Sequence, residues 1–194
     1  MKRLLLPILI LLSLPLLFQS TPTEILKLKT FDTFIKTPEA SGNFVILNIT
    51  EEDVEREGGW PLPRQRLADI QLEILGKGAL GVGWVISFPQ ADRMGGDARF
   101  ASSLGYAPSV IATFENGKGV YPKTTGTVIK GPDVGGLQST GIKQNYSVYD
   151  KVIQGVAIAP TEVDQLVRRI PLILKTPTGW SASFGTQVLK TLTN

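Results

Sequence analysis

Residues 64–86 read RQRLADIQLEILGKGALGVGWVI, and this stretch decides the fold class. Over residues 64–75, Leu67, Ile70, Ile74 and Leu75 fall on one face at helical spacing, and Gly76 or Gly78 supplies the stop. Ala79–Ile86 is then a nearly unbroken apolar run of strand length. Upstream, Phe44–Ile49 (FVILNI) is a second such run, expected as a strand buried on both faces. Strand, helix and strand at this spacing predict a right-handed crossover between parallel neighbours.

Working outward, the pattern recurs. Gly95–Leu104 carries Phe100, Ala101 and Leu104 on a helical face, Gly105 ends it, and Ser109–Phe114 (SVIATF) reads as the third strand. Asn116-Gly117 is a hairpin turn signal. From Gly117 to Tyr149 the chain becomes glycine-rich and polar, which predicts an irregular excursion with at most short strands, suited to mobility or to covering a ligand. Val152–Ala159 and Leu166–Leu174 read as two strands forming an antiparallel pair, and Ser181–Leu192 as a closing helix. Between residues 51 and 57 the chain is acidic, and Glu52 and Arg56 are placed to pair at i, i+4 on a short helix. The expected fold is therefore α/β, with a largely parallel central sheet, flanking helices and an antiparallel C-terminal strand pair.

An N-terminal membrane helix is expected to precede it. Residues 1–18 (MKRLLLPILILLSLPLLF) place Lys2 and Arg3 before fifteen residues that are apolar except for Pro7, Ser13 and Pro15. Fifteen helical residues span about 22 Å, less than the hydrocarbon core of about 30 Å, a mismatch that flanking residues or bilayer thinning accommodate. Signal peptidase needs small residues that Phe18 does not supply, so an uncleaved anchor fits better than a removed leader. Lys2 and Arg3 then stay in the cytoplasm, and residues 21–194 form the exported domain. Thr21–Lys36 places Ile25, Leu28, Phe31 and Ile35 in one stripe, a helix continuing from the membrane and ending near Thr37-Pro38.

The chain of 194 residues is 42% hydrophobic and 19% charged, enough to bury a core, and it contains neither Cys nor His. Zinc sites built on those residues, Ser-His and Cys-His nucleophiles, haem ligation, thiol redox work and disulfides are thereby excluded. Net charge is +3, and removing Lys2 and Arg3 from the 20 basic residues leaves 18 against 17 acidic ones. A near-neutral globule is no footprint for nucleic acid.

Gly76, Gly78 and Gly81 match G-x-G-x-x-G, but they leave a helix and enter a strand, the reverse of the polarity that brings a helix N-terminus to a pyrophosphate. The acidic run Glu51, Glu52, Asp53, Glu55 and Glu57 lacks the spacing and central glycine of a calcium loop and reads as a solvated helix face. Asn48-Ile-Thr50 and Asn145-Tyr-Ser147 match the glycosylation acceptor pattern, read here as coincidence. Ligands of open parallel sheets sit beyond the carboxyl ends of the strands, which directs attention to Asn48 and Thr50, to Ser87 with Asp92 and Arg93, and to Glu115 and Asn116. Of Arg168 and Arg169, strand alternation turns one inward, where it needs an anionic ligand or an ion pair with Asp92 or Asp164.

Four stretches then suggest a family. Leu28-Lys29-Thr30-Phe31-Asp32, Gly59-Trp60-Pro61-Leu62-Pro63-Arg64, Phe88-Pro89-Gln90-Ala91-Asp92-Arg93 followed by Asp97, Phe100, Ala101 and Leu104, and Val167-Arg168-Arg169-Ile170-Pro171-Leu172 resemble, in order and separation, motifs of the type-two CHASE domain. That family comprises extracytoplasmic sensory modules of bacterial cyclases, histidine kinases and serine/threonine kinases, and the resemblance spans roughly residues 26–192. It implies a sensor without catalytic residues, cofactor or metal, and taken with the strand ends it makes Asn48, Trp60, Arg64, Asp92, Arg93 and Arg168 the expected ligand-binding residues. The chain departs from the family at Asn48, where the first strand usually ends in aspartate, and at Gly83-Trp84, where the second carries F-D. It also stops at Asn194 without an output domain, which implies either a separate subunit or a truncated frame.

The resulting expectation is a single-pass protein of the inner membrane with a periplasmic domain. A small-molecule or protein signal would shift packing against helix 21–36, and the partner would be a membrane-embedded kinase or cyclase, with a homodimer as the expected self-assembly. The alternatives are an exported hydrolase using Glu51, Asp53 or Asp92 with a divalent metal, and a structural envelope protein.

Overall fold

The computed structural model describes residues 13, 20–36, 38–118, 128–129, 135–177 and 179–193. Two compact units result, Met1–Asn48 with Pro160–Arg168, and Ile49–Ala159 with Arg169–Asn194. Most of the expected anchor, and residues 119–127 and 130–134 of the glycine-rich excursion, lie outside the described residues. Among the described residues no helix is long and apolar enough to cross a membrane.

In the first unit, α1 (Thr21–Phe34) starts where the Ser20 N–H donates to Thr23 Oγ1 at 3.1 Å, and it stops before Pro38 with Ile35 already extended. Of the expected stripe, Leu28 is buried, whereas Phe31 and Ile35 are 46% and 47% exposed. Phe44–Ile49 corrects an expectation, because it forms no strand and Val45 and Ile46 are more than four-fifths exposed. An apolar run becomes a two-sided strand only when a ladder partner is available. The observed ladders run without this segment, so the crossover it was expected to open is absent.

The second unit opens with α2 (Glu51–Arg56), capped reciprocally by Thr50 and Asp53. As expected, Arg56 pairs with Glu52 at 3.7 Å. Helix α3 (Arg64–Gly76) follows, and Gly78 (φ +93°) ends it in the left-handed conformation glycine tolerates. Then come β1 (Val82–Trp84), α4 (Asp97–Ser103), β2 (Ser109–Glu115), β3 (Val128–Ile129), β4 (Ile142–Lys143), a 3-10 turn (Ser147–Tyr149), β5 (Ile153–Ala157), β6 (Ile173–Thr176), β7 (Gly179–Ala182) and α5 (Phe184–Thr193).

Strand β2 is the centre of the main sheet. Val110 and Ile111 pair in parallel with β1 and also with β5, which must therefore lie on opposite edges of β2. Strand β4 joins antiparallel at the end of β2, Phe114 opposite Lys143. The realised crossover is β1–α4–β2. Gly117 has the positive φ of a turn, but Asn116-Gly117 closes no two-residue hairpin, since the partner strand returns only at Ile142. The antiparallel pair also differs from expectation. It is β6 with β7, extended by β3 into a second sheet, while β5 pairs in parallel with β2 and residues 166–172 form no strand. Pro171 has no N–H to donate to a ladder, and the run Leu166–Leu174 pairs only beyond it.

One face of the main sheet carries α3 and α4. Leu67, Ala68, Trp84, Phe88, Phe100, Ile111 and Tyr149 form the core there, with Trp84 and Phe88 edge-on to Phe100 at 5.4 and 5.2 Å. Trp84 Nε1 donates to Gln71 Oε1 and Gln71 Nε2 to Ser109 Oγ, so these buried polar side chains pair with one another. Helix α5 covers the other face, where side chains would intervene at Gly83 and Gly155. A Cβ on Gly155 would stand 2.7 Å from Phe184 Cα, and one on Gly83 3.0 Å from the Phe184 ring.

Candidate functional site

A cleft of about 910 Å³ opens in the second unit beyond the carboxyl end of β1, lined in part by Trp60, Arg64, Ile86, Asp92, Arg93, Met94 and Phe114. Two loops build it. The first, residues 58–63, turns through Gly58 and Gly59 at positive φ, buries Leu62 and delivers Arg64 to the first turn of α3. The second, residues 85–96, leaves β1 and is pinned midway. The Phe88 N–H donates to Asn145 Oδ1 at 2.6 Å and the Tyr146 N–H to the Phe88 carbonyl at 2.6 Å. Asn145 is buried, and its amide nitrogen also donates to the Ala112 carbonyl and Gln154 Oε1. That residue is thus a packing element, as the coincidental reading of its Asn-Tyr-Ser pattern implied.

Asp92 organises the second loop. Its Oδ2 accepts the N–H of Arg64 at 2.8 Å and of Gly96 at 3.2 Å, and its Oδ1 accepts the Met94 N–H at 3.0 Å. Burial alone would raise its pKa, but these N–H groups and the Arg64 cation outweigh that and hold the carboxyl below its usual value. Gly96 lets the two helix starts meet, since a Cβ there would stand 2.8 Å from the Arg64 carbonyl carbon. Asp97, first in α4, accepts the Asp92 N–H on Oδ2 and the Tyr149 hydroxyl on Oδ1, both at 2.6 Å. Burial first, then the bond to Asp97, pushes the Tyr149 phenol far above its ordinary value, so it stays a neutral donor.

Arg64 is 8% exposed and stands at the junction of these groups. Its Nη1 donates to the Leu62 carbonyl at 3.2 Å and its guanidinium carbon lies 4.5 Å from the centre of the Phe88 ring. Nε is enclosed without a hydrogen-bond partner, 3.7 Å from Asp97 Oδ1. Arg93 is exposed and without a partner among the described residues, and Trp60 is 57% exposed at the mouth. The arrangement offers a charged group in Arg93 and a stacking surface in Trp60. Asp92 is committed to backbone donors, and no group of three or more metal-ligating side chains occurs among the described residues.

Of the six residues expected to bind ligand, Trp60, Arg64, Asp92 and Arg93 line this cleft. Asn48 lies in the exposed, unpaired stretch of the first unit. Arg168, also in the first unit, has its side chain 5% exposed and takes the ion-pair alternative with Asp164, and with Asp32 as well. Asp97 and Tyr149 were missed as site-building residues. A carboxylate five residues after Asp92 at a helix start was a usable signal for Asp97, whereas nothing local marks Tyr149, whose role depends on a partner 52 residues away.

The model of the CHASE2 domain matches residues 8–194, nearly the whole chain. The chain belongs to the CHASE2 domain family. No curated protein and no solved structure matches it. CHASE2 domains are extracytoplasmic sensory domains found in signalling proteins such as cyclases and kinases, and the family is not catalytic. In this CHASE2 chain, Gly83, where the resemblance predicted a bulky residue, lies against α5, and Trp84 takes a core hydrogen bond to Gln71.

Proposed function

We propose that this CHASE2 chain is a single-pass, membrane-anchored sensor whose folded part lies in the periplasm and binds its signal in the cleft of Trp60, Arg64, Asp92 and Arg93. The observation that carries the reading is that two motifs 28 residues apart are locked together by one bond, Arg64 N–H to Asp92 Oδ2, around a cavity of ligand size. Trp60 and Arg93 stand free at its surface, as recognition groups should. Output passes to a separate membrane-embedded partner with kinase or cyclase activity. The return segment 160–168 is covalently continuous with β5 and β6 and is tied to α1 through Arg168, so a change in the sheet has a route to the helix nearest the anchor. The ligand must bind two arrangements with different affinity for this to signal. The hydrolase reading is weaker, because Asp92 and Asp53 spend their oxygens on backbone and cap hydrogen bonds.

The test is a thermal-shift screen of the full chain in detergent micelles against amino acids, organic acids, sugars and nucleosides. At least one class raises Tm, and Trp60→Ala abolishes that rise. Uniformly null results with a folded protein overturn ligand sensing.

A further inference from the structure

The cleft carries more cation than its own residues satisfy. Among the described residues Asp92 is the one carboxylate lining it, and both its oxygens are engaged by three backbone N–H groups. Asp97, the acid paired with the Arg64 guanidinium, already accepts the Tyr149 hydroxyl and the Asp92 N–H. Among the described residues Arg64 donates from Nη1 to the Leu62 carbonyl and interacts with the Tyr149 hydroxyl, while its enclosed Nε makes no hydrogen bond and its ion pair is stretched to 3.7 Å. A guanidinium has five donors, and leaving them short of acceptors while buried is unfavourable. Arg93 adds a second cation at the surface of the same cleft, unpaired among the described residues. Around these charges part of the wall is apolar, with Val85, Met94 and Trp60 all more than half exposed, beside the polar Ser87 and Gln90.

We infer that the cleft takes a monocarboxylate with a flat or branched apolar body, its carboxylate on Arg64 and Arg93 and its body against Trp60 and Met94. The inference rests on the reading of this cleft as the signal site. One forked carboxylate suits a planar guanidinium and gives the arginine donors that reach the cleft a charged acceptor. A phosphate would bring a second negative charge and more oxygens than the two arginines match, and Trp60, Val85 and Met94 offer those oxygens no donor. The cavity is also far larger than a carboxylate alone, so the apolar body fills what the arginines do not.

Trp60 reports on occupancy, because Trp84 and Trp180 are buried at 7% and 5% exposure. The full chain in micelles is titrated with phenylacetate, 4-methylpentanoate, phenylacetamide and inorganic phosphate, following tryptophan fluorescence with Trp60→Phe as the control. The acids bind at least about tenfold more tightly than the amide, as expected for charge-assisted hydrogen bonds, and phosphate does not displace them. Arg93→Gln, at an exposed position, weakens the acids by about tenfold with Tm unchanged, and Arg64→Lys weakens them further. Equal binding of acid and amide overturns the carboxylate assignment while leaving the cleft as a sensory site. So does displacement by phosphate, an unaffected Arg93→Gln, or no acid binding in the millimolar range. A thermal screen in which nothing binds overturns the underlying reading as well.

Discussion

Arg168 grips Asp32 across 136 residues of sequence through two N–H···O bonds, Nε to Oδ1 at 2.6 Å and Nη2 to Oδ2 at 2.8 Å. The same guanidinium donates to Asp164 through Nη1 at 2.8 Å and Nη2 at 2.6 Å. Asp164 sits in a turn in which Gln165 adopts a positive φ and the Gln165 N–H donates to the Glu162 carbonyl. One planar cation thus fastens a turn to helix α1, using four donor–acceptor pairs that only a fork can make together.

Arg168→Lys keeps the charge and loses the fork. Amide hydrogen exchange in residues 160–168 and in the second half of α1 accelerates in this variant, while exchange in β2 and β5 is unchanged. Identical protection in the two proteins would show that the clamp does not restrain α1.

The clamp also sets a pH dependence. The Arg168 hydrogen bonds hold the Asp164 carboxyl at about 2, below its ordinary 3.8, and Arg168 lowers Asp32 as well. A carboxylate whose pKa is depressed on folding contributes stability that is complete above its unfolded value and is lost as pH falls through the folded one. The stability difference between the natural chain and Asp164→Asn, read from urea midpoints, is therefore constant above about pH 5 and shrinks steadily toward pH 2. A difference independent of pH over that window would contradict the ion pair.

Asn145 satisfies three buried groups, the Phe88 N–H, the Ala112 carbonyl and Gln154 Oε1. Asn145→Ala strands them and releases the loop that shapes the cleft, a loss of about 2–4 kcal/mol in denaturant unfolding. Ligand binding in the cleft weakens in parallel. A neutral substitution would mean that loop 85–96 is held by other contacts.

Gly155 lies under Phe184, and a Cβ would stand 2.7 Å from the backbone of α5. Gly155→Ala pushes that helix from the sheet and costs about 1–3 kcal/mol, as overpacking of a filled layer does. Gly185→Ala, with nothing within 4 Å of its added Cβ, is the matched control and stays within about 0.5 kcal/mol. Equal effects at both positions would refute close packing at Gly155.

The readings that succeeded rest on local periodicity with a clear stop. Helix α3 with its Gly78 terminus, helix α4 and strand β2 follow from side-chain spacing within a dozen residues. Failures occurred where partners decide. Phe44–Ile49 has the texture of a buried strand, but texture contains no information about which edge is free to receive it. Strand β5 looked like half of a hairpin because Leu166–Leu174 followed it, and the ladder instead matched it to β2. Within the cleft, Trp60, Arg64, Asp92 and Arg93 were legible because two short motifs contain them, while Asp97 and Tyr149 were not, because their task arises from a hydrogen bond between distant elements.

Residue content alone established that chemistry based on histidine or cysteine is absent, that the globule is near neutral, and that four motifs in order mark a CHASE2 chain. Those conclusions need only counts and spacings, which folding does not alter. Folding decided which acceptor each arginine meets. Arg168 closes on Asp32 and Asp164, whereas Arg64 is buried with its Nε unpaired and Arg93 meets no acceptor among the described residues. Pairing of buried charge depends on distances between segments remote in sequence, and those distances exist only once the chain has packed.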